Sequence, residues 1–328
     1  MKRLAFYLAI ILILILLSSL LSWKEESPPV FPSNPPFLPS IEIEKEIVIV
    51  DEEWKDLYPR PLTPRCVHWF TPPDLFLEKH EEVMDELKGM GIGMVVIAHG
   101  LEEYDVRVVK GIVKGLVKRG IIPVIRPMVR VGPLPSSFKD SLRQLIPSGA
   151  FYVQVFNEPN LPEEWGVEGM GVEGWVRWWE EGAKEVLKEG GFPGISPLSP
   201  SGGDEDWLRG FFKLASPSLL ENSWLGVHAY YHFYDPEDER GFGLYRRYSR
   251  IARKVSGLSL PVIVTEGGIS PEENLPREEW GKWIFSGYSY LEREGDPDLL
   301  AFCHWVLGSY ERRWKNVSWF DGEKFLLR

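Results

Sequence analysis

Two glutamates, Glu158 and Glu266, each follow a short apolar run that is typical of a buried strand. A pair of carboxyls is the usual means of cleaving a glycosidic bond, because one donates a proton to the leaving oxygen while the other attacks as an anion. The surroundings of the two carboxyls must then separate their pKa values. The alternative for either glutamate alone is an ordinary loop contact or an ion pair.

Other polar and aromatic side chains end the remaining predicted strands, which is where a barrel places its reactive groups. Arg126 and the hydroxyl of Tyr230 are candidates to stabilise the ionised glutamate. Trp165, in the loop that follows Glu158, either stacks on a sugar or packs within its own loop, and the sequence leaves both open. The set of candidate binding residues is completed by His99, Asn157, His228 and Trp305.

Short apolar runs alternate with amphipathic stretches from about residue 60 onward. Eight strand patterns separated by seven helical patterns are the count of a (β/α)8 TIM barrel. A doubly wound sheet is the alternative, but no glycine-rich dinucleotide fingerprint follows any strand. After the eighth strand only residues 310–328 remain, so the last helix should be short or absent. The predicted strands cover 65–70, 93–99, 122–129, 151–158, 195–199, 225–231, 262–266 and 299–306. The predicted helices cover about 76–90, 104–119, 137–146, 171–189, 206–220, 244–256 and 277–294.

The chain opens with an apolar segment, residues 4–23, behind two basic residues. Twenty helical residues span about 30 Å, the thickness of a bilayer core. Residues 1–23 are therefore predicted to be either an uncleaved transmembrane signal anchor or a removed signal peptide. A proline-rich linker, residues 24–40, would follow. The barrel domain, residues 41–328, would lie outside the cytoplasm, anchored to the membrane or secreted.

The composition is that of a globular chain, with 44% hydrophobic and 26% charged residues. The net charge of −11 argues against a nucleic-acid partner, which would require a basic face. The two cysteines, Cys66 and Cys303, fall on the first and eighth predicted strands, which become neighbours when a barrel closes. They are either disulfide-bonded or simply small buried apolar residues. No metal or cofactor is expected, since the first strand lacks the His-x-His pair that is usual in metal-dependent barrel hydrolases.

Several motifs occur together at the ends of the predicted strands: Asn-Glu-Pro at 157–159, His-Ala-Tyr at 228–230, Glu266 and Trp305. In this combination the sequence resembles glycoside hydrolase clan A, the retaining glycosidases built on TIM barrels. The nearest pattern is that of the cellulase-like family 5 enzymes. The resemblance covers residues 60–309 and implies a carbohydrate substrate.

The resemblance also implies a role for each matching residue. Glu158 would be the general acid/base and Glu266 the nucleophile of a retaining, double-displacement mechanism. Asn157 would hydrogen-bond the 2-hydroxyl of the substrate, and Trp305 would form a platform for its sugar ring. Residues that orient the glutamates or bind the substrate would further include His228, Tyr230, Arg126 and His99.

The sequence therefore predicts a retaining glycoside hydrolase that cleaves the O-glycosidic bonds of a β-linked oligo- or polysaccharide. Two alternatives stay open: a catalytically silent carbohydrate-binding surface protein on the same barrel, and a transglycosylase with the same residues. The sequence indicates neither the sugar nor the oligomeric state.

Overall fold

The computed structural model describes residues 58–70, 77–200, 203–270 and 275–308, together with residues 314, 317–321 and 323–326. The predicted membrane segment (1–23) and proline-rich linker (24–40) lie outside the described residues, as does the beginning of the predicted barrel domain. All described residues belong to one unit, residues 47–328.

The sheet consists of Arg65–Phe70 (β1), Met94–His99 (β2), Ile122–Pro127 (β3), Tyr152–Gln154 (β4), Phe192–Ile195 (β5), Trp224–Tyr231 (β6), Val262–Ile269 (β7) and Leu299–Trp305 (β8). The strands pair in parallel and in chain order, and β1 also pairs with β8, so the sheet closes into a barrel. The predicted TIM barrel is confirmed. Parallel strands covered on both faces need nearly continuous apolar runs, which explains why they could be located in the sequence.

Helices follow the first seven strands: His80–Gly89 (α1), Glu103–Lys118 (α2), Ser136–Leu145 (α3), Val172–Lys188 (α4), Asp204–Leu214 (α5), Pro217–Leu220 (α6), Leu244–Ser256 (α7) and Arg277–Glu294 (α8). Their buried side chains recur at three- and four-residue spacing, as Val106, Val109 and Val113 do in α2. Among the described residues that follow β8, none is in an α-helix. None of the helices formed by the described residues combines the length and the apolar character that crossing a bilayer requires.

A cluster of buried side chains fills the N-terminal end of the barrel. The ring of Tyr58 lies 4.3 Å from that of Phe192, and its hydroxyl donates to the carbonyl of Ser223 at 3.2 Å. Burying such rings contributes about 25 cal/mol for each Å² of apolar surface removed from water. Because these side chains close the N-terminal end of the barrel, a binding cleft can open only at the C-terminal ends of the strands. The cluster also contains Cys66, Met94, Val96, Val124, Tyr152, Trp224, Ile263, Leu300, Ala301 and Cys303.

The fifth strand differs from the sequence pattern, which predicts a strand at 195–199. The strand lies at Phe192–Ile195, where the chain reads Phe-Pro-Gly-Ile. Proline and glycine are poor signals for a central strand. Glycine is required at Gly194 because a Cβ there would lie 2.4 Å from the ring of Trp224 on the neighbouring strand. The close approach of the Trp224 ring therefore explains the glycine of β5.

Cys66 and Cys303 form a disulfide between β1 and β8, where the two residues are direct register partners. The bond joins positions 237 residues apart, and both cysteines are fully buried. Of the two alternatives that the sequence leaves open, the disulfide is therefore the one found. It links the first and last strands of the barrel covalently.

Candidate active site

The C-terminal ends of the strands converge on one cleft of about 400 Å³. Glu158 reaches it from the segment that follows β4, and Glu266 reaches it from within β7. Arg126, Asn157 and Trp305 also line the cleft, so the structure brings together five of the predicted site residues. The remaining lining is Pro127, Met128, Val129, Arg130, Glu164 and Trp314.

Glu158 sits at a sharp turn of the backbone. Its φ is +31°, in the left-handed region that residues other than glycine rarely adopt. The β4 ladder ends at Gln154, and the carbonyl of Glu158 accepts a hydrogen bond from the N–H of Leu161 at 2.9 Å. Backbone strain of this kind costs about 1–3 kcal/mol and clusters at functional sites, where the surroundings hold it in place. The turn directs the carboxyl into the cleft.

The imidazole of His228 lies between the two glutamates. Its Nδ1 is 2.8 Å from Oε1 of Glu158, and its Nε2 is 3.7 Å from Oε1 of Glu266. A register shift between Val227 and His228 makes His228 the direct neighbour of Glu266 across the pairing of β6 with β7. His228 is fully buried, so its ring bonds Glu158 from a fixed position and lies beside Glu266 without a hydrogen bond to it.

Glu266 is bonded through both of its carboxylate oxygens. Oε1 accepts from Nη1 of Arg126, and Oε2 accepts from the hydroxyl of Tyr230 at 2.7 Å. Burial by itself raises the pKa of this carboxyl. The ring of His228, the charge of Arg126 and the hydrogen bond from Tyr230 each lower the pKa of Glu266. Together they hold the pKa of Glu266 well below its ordinary value of 4.5, so this carboxyl is an anion at neutral pH.

His68, on β1, lies behind Arg126. Its Nδ1 is 2.9 Å from the carbonyl of Thr265, which can only accept, so Nδ1 carries the proton in the neutral ring. Its Nε2 then faces Nη1 of Arg126 as an acceptor at 3.5 Å. Burial lowers the pKa of His68 to about 3, which leaves the ring neutral at neutral pH. His68 therefore helps to orient the guanidinium without competing with it for Glu266.

The side-chain amide of Asn157 has a partner on each side. Its Nδ2 donates to Oε1 of Glu164 at 2.8 Å, and its Oδ1 accepts from Nε2 of Gln154 at 3.3 Å. Glu164 is half-buried and is the third carboxyl in the lining of the cleft. Burial raises the pKa of Glu164, while the bond from Asn157 opposes that increase. The amide is thus held in one orientation beside the two central glutamates.

Two tryptophans form an aromatic part of the cleft wall. The rings of Trp305 and Trp314 meet nearly edge to face, with their centroids 5.1 Å apart. Trp305 also packs against His68, with ring centroids 4.6 Å apart, and its peptide bond to Val306 is cis. An aromatic face at this place is suited to the apolar face of a sugar ring.

Four of the predicted binding residues lie outside the lining of the cleft. His228 and Tyr230 contact its two glutamates from behind, as described above, and the other two are His99 and Trp165. His99, at the end of β2, is fully buried, and its Nδ1 is 2.7 Å from the carbonyl of Gly100. Burial lowers the pKa of His99 to about 4, so this ring is neutral at neutral pH. The Nε1–H of Trp165 donates to the carbonyl of Pro159 at 2.8 Å, and its ring lies 6.5 Å from that of Trp207. These contacts favour the loop-packing alternative for Trp165.

Sequence reasoning did not single out the other six residues of the lining, among which Pro127 ends β3 and Val129 lies just after it. Met128 and Arg130 follow β3, Glu164 lies in the loop after β4, and Trp314 follows β8. Loops carry no periodic pattern from which the direction of a side chain could be read. The one available signal was the acidic run Glu163–Glu164 directly before Trp165, close behind Glu158.

A second groove, of about 1030 Å³, lies along α8 beside Tyr234. Its lining includes Arg277, Lys282 and Phe285, and Glu278 is the one carboxylate among the described residues that line it. Although this groove is larger, the described residues that line it include no pair of carboxyls, and none of them belongs to a strand. The smaller cleft is therefore the candidate active site.

The fold is shared with glycoside hydrolases of clan A. The chain is similar to a GH10 endoxylanase retrieved from a sugarcane soil metagenome, at 10% identity and a TM-score of 0.52, over 80% of this chain and 91% of that one. It is similar to the catalytic core of xylanase A, at 11% identity and a TM-score of 0.51, over 78% and 92%. It is also similar to the catalytic domain of alkaline cellulase K, at 15% identity and a TM-score of 0.47, over 80% and 78%.

No family model matches the sequence. No curated protein matches it either. The predicted resemblance to clan A is therefore confirmed at the level of the fold, and the narrower resemblance to family 5 stays a prediction.

Proposed function

We propose that this protein is a retaining glycoside hydrolase that cleaves the O-glycosidic bonds of a β-linked oligo- or polysaccharide. The observation that carries the proposal is the position of Glu158 and Glu266 on either side of the His228 ring, at one cleft. Of the two carboxyls, Glu266 is the one bonded to Arg126. Their surroundings therefore differ, as the roles of an acid and a nucleophile require.

In the first step, Glu266 attacks the anomeric carbon and Glu158 gives its proton to the leaving oxygen. The glycosidic C–O bond breaks, and an ester bond forms between the sugar and Glu266. The low pKa of Glu266 supports this assignment, because a nucleophilic carboxylate must be ionised before the substrate arrives. Arg126 and Tyr230 hold its two oxygens in place.

In the second step, Glu158 takes a proton from water, and the water oxygen attacks the same carbon. The ester bond breaks, Glu266 leaves as a carboxylate, and the sugar keeps its original anomeric configuration. His228 supports both steps because its Nδ1 is bonded to Glu158, so the carboxyl stays oriented as it loses and regains its proton.

Two further residues would bind the sugar. Asn157 adjoins Glu158 in the chain and lines the cleft, where its amide would hydrogen-bond the 2-hydroxyl. Trp305, on the wall of the cleft, would provide the platform under the sugar ring. Hydrogen bonds to the 2-hydroxyl strengthen in the transition state and supply several kcal/mol in enzymes of this chemistry.

We place the activity outside the cytoplasm. The bond between Cys66 and Cys303 supports this location, because disulfides form and persist in oxidising compartments. The apolar segment 4–23 would supply the export signal or the membrane anchor. Protease treatment of intact cells that express the full chain tests the location. Digestion of the barrel supports it, and complete protection contradicts it.

The activity itself is tested by measuring sugar release from β-glucans, mannans, xylans and galactans, and from aryl β-glycosides. Wild-type chain is compared with Glu266→Gln, which keeps the shape of the side chain but removes the nucleophile. Release by the wild type alone supports the proposal. If both proteins bind a polysaccharide equally and neither releases sugar, the carbohydrate-binding alternative replaces it. Longer products in place of hydrolysis would identify a transglycosylase.

A further inference from the structure

The loop that carries Glu164 is fixed to the neighbouring loop by the backbone. The N–H of Val131, after β3, donates to the carbonyl of Glu164 at 2.8 Å, and the N–H of Gly166 donates to the carbonyl of Val131 at 2.9 Å. Trp165 lies between Glu164 and Gly166 in the chain, and its Nε1–H is hydrogen-bonded to the carbonyl of Pro159. Glu164 is therefore placed by three hydrogen bonds around it, and its side chain is directed back towards Asn157.

Two orientations of the Asn157 amide, related by a half-turn, exchange the positions of its oxygen and its NH₂ group. In its ionised form the carboxylate of Glu164 accepts hydrogen bonds and cannot donate one, so in that form it pairs with the NH₂ end of the amide. Gln154 contributes from the opposite side, since its Nε2 donates to Oδ1 of Asn157 at 3.3 Å. With both neighbours in place, one orientation of the amide satisfies both bonds.

The NH₂ group of Asn157 has two hydrogens, and Glu164 takes one of them. The other is left for the cleft, which Asn157 lines beside Glu158. In the reversed orientation the amide would present its oxygen to Glu164, and two acceptors would face each other. The bond from Asn157 to Glu164 therefore determines which polar group the substrate meets.

We propose that Glu164 is a positioning residue that fixes the amide of Asn157 so that its second N–H faces the hydroxyl next to the reacting carbon of the sugar. This inference rests on the proposed function, and it adds a third carboxyl to the two that carry out the chemistry. Glu164 itself need not touch the substrate. Its effect is exerted through Asn157.

The test compares substrates that have or lack the 2-hydroxyl: the 4-nitrophenyl β-glycosides of glucose, mannose, galactose and xylose, each with its 2-deoxy counterpart. In the wild type, loss of the 2-hydroxyl should lower kcat/KM by roughly 100-fold or more, given the several kcal/mol that this contact supplies. In Glu164→Ala, loss of the 2-hydroxyl should lower kcat/KM by about tenfold or less, because a misplaced Asn157 amide no longer distinguishes substrates with the hydroxyl from those without it.

Two further variants serve as controls. Glu163→Ala removes the adjacent exposed carboxyl of the same loop and should keep the wild-type discrimination. Glu164→Gln can still accept a bond from Asn157 through its own amide oxygen, so it should recover part of the discrimination lost in Glu164→Ala. Wild-type discrimination in a folded Glu164→Ala protein overturns the inference.

A measurement without substrate separates this inference from the proposed function. In the full chain labelled with ¹⁵N-asparagine, the side-chain amide signals of Asn157 are identified by their loss in Asn157→Ala. One of the two protons should lie downfield through its bond to Glu164, and it should move upfield in Glu164→Ala but not in Glu163→Ala. An inactive wild type with this shift defeats only the hydrolase proposal. Unchanged signals in Glu164→Ala defeat the positioning role.

Discussion

Arg126, on β3, is bonded to Glu266, on β7, across the mouth of the barrel. The two strands are four positions apart in a closed sheet of eight, so the two side chains extend from opposite walls of the barrel and meet between them. It gives one carboxyl of the cleft a permanent positive neighbour. The division of roles between Glu158 and Glu266 depends on that asymmetry.

Replacement of Arg126 by methionine should shift the pH profile of activity. A nearby cation lowers the pKa of a carboxyl, so its loss raises the pKa of Glu266. The acid limb of kcat/KM, which reports the free enzyme, should therefore move to higher pH. At neutral pH we expect kcat/KM to fall by roughly 10- to 100-fold, since a hydrogen bond to a charged group contributes about 1.5–3 kcal/mol.

Arg130→Met is the matched control for this change, because Arg130 lines the same cleft without a described bond to Glu266. Its acid limb should stay where the wild type has it. An unshifted limb in Arg126→Met would remove the electrostatic basis for Glu266 as the nucleophile.

Tyr230→Phe should reduce activity without disturbing the fold. The substitution keeps the ring and removes the hydroxyl that donates to Oε2 of Glu266, so kcat/KM should drop about tenfold or more. Tyr231→Phe is the comparison, since the Tyr231 hydroxyl has no hydrogen-bond partner among the residues that the structure describes. Steady-state kinetics should find Tyr231→Phe close to wild type. Equal losses in the two variants would show that the contact to Glu266 is not the cause.

Loss of the disulfide should destabilise the barrel. Cross-linking positions 237 residues apart restricts the unfolded chain, and removal of such a bond typically costs about 2–5 kcal/mol of the free energy of unfolding. Urea unfolding with and without reductant measures the effect. The double variant Cys66→Ala, Cys303→Ala should show the lower stability in both conditions. A wild-type midpoint that does not respond to full reduction would argue against a stabilising role.

Gly194→Ala should destabilise the protein, because the new methyl group would meet the Trp224 ring at 2.4 Å. Overpacking of this kind costs about 1–3 kcal/mol. Gly111→Ala provides the opposite case: Gly111 lies within α2, and a Cβ there would meet no atom of the described residues within 4 Å beyond its chain neighbours and its own helix backbone. It should stabilise the helix by about 0.5–1 kcal/mol. Urea midpoints that change in the same direction in both variants would contradict the packing described for β5.

The repeating elements of the barrel could be predicted because buried strands and helices require recognisable patterns of apolar residues. The apolar runs of β2 and β7 and the three- and four-residue spacing in α2 locate these elements within a few residues. The sequence of β5, Phe-Pro-Gly-Ile, contains no such apolar run. Its Gly194 is explained by the Trp224 ring of the neighbouring strand, and that contact is visible only in three dimensions.

The site residues that end strands could be predicted from the sequence, whereas those that loops and barrel closure position could not. Glu158 and Glu266 follow strand patterns, and the barrel places the ends of strands together. Glu164 could not be found in this way, because its position depends on the pairing of its loop with Val131. The position of His68 behind Arg126 likewise depends on the closure of β1 against β8 and on the contact with Thr265.

The central claim is that Glu266 forms a covalent bond to the sugar. It is tested by incubating the full chain with 2-deoxy-2-fluoro β-glycosides of glucose, mannose, galactose and xylose that carry a good leaving group, followed by mass spectrometry of the intact and digested protein. The account predicts one added fluoroglycosyl group, located on the peptide that contains Glu266, and no addition in Glu266→Gln. Release of sugar with inverted configuration, or a label on a different residue, would contradict it.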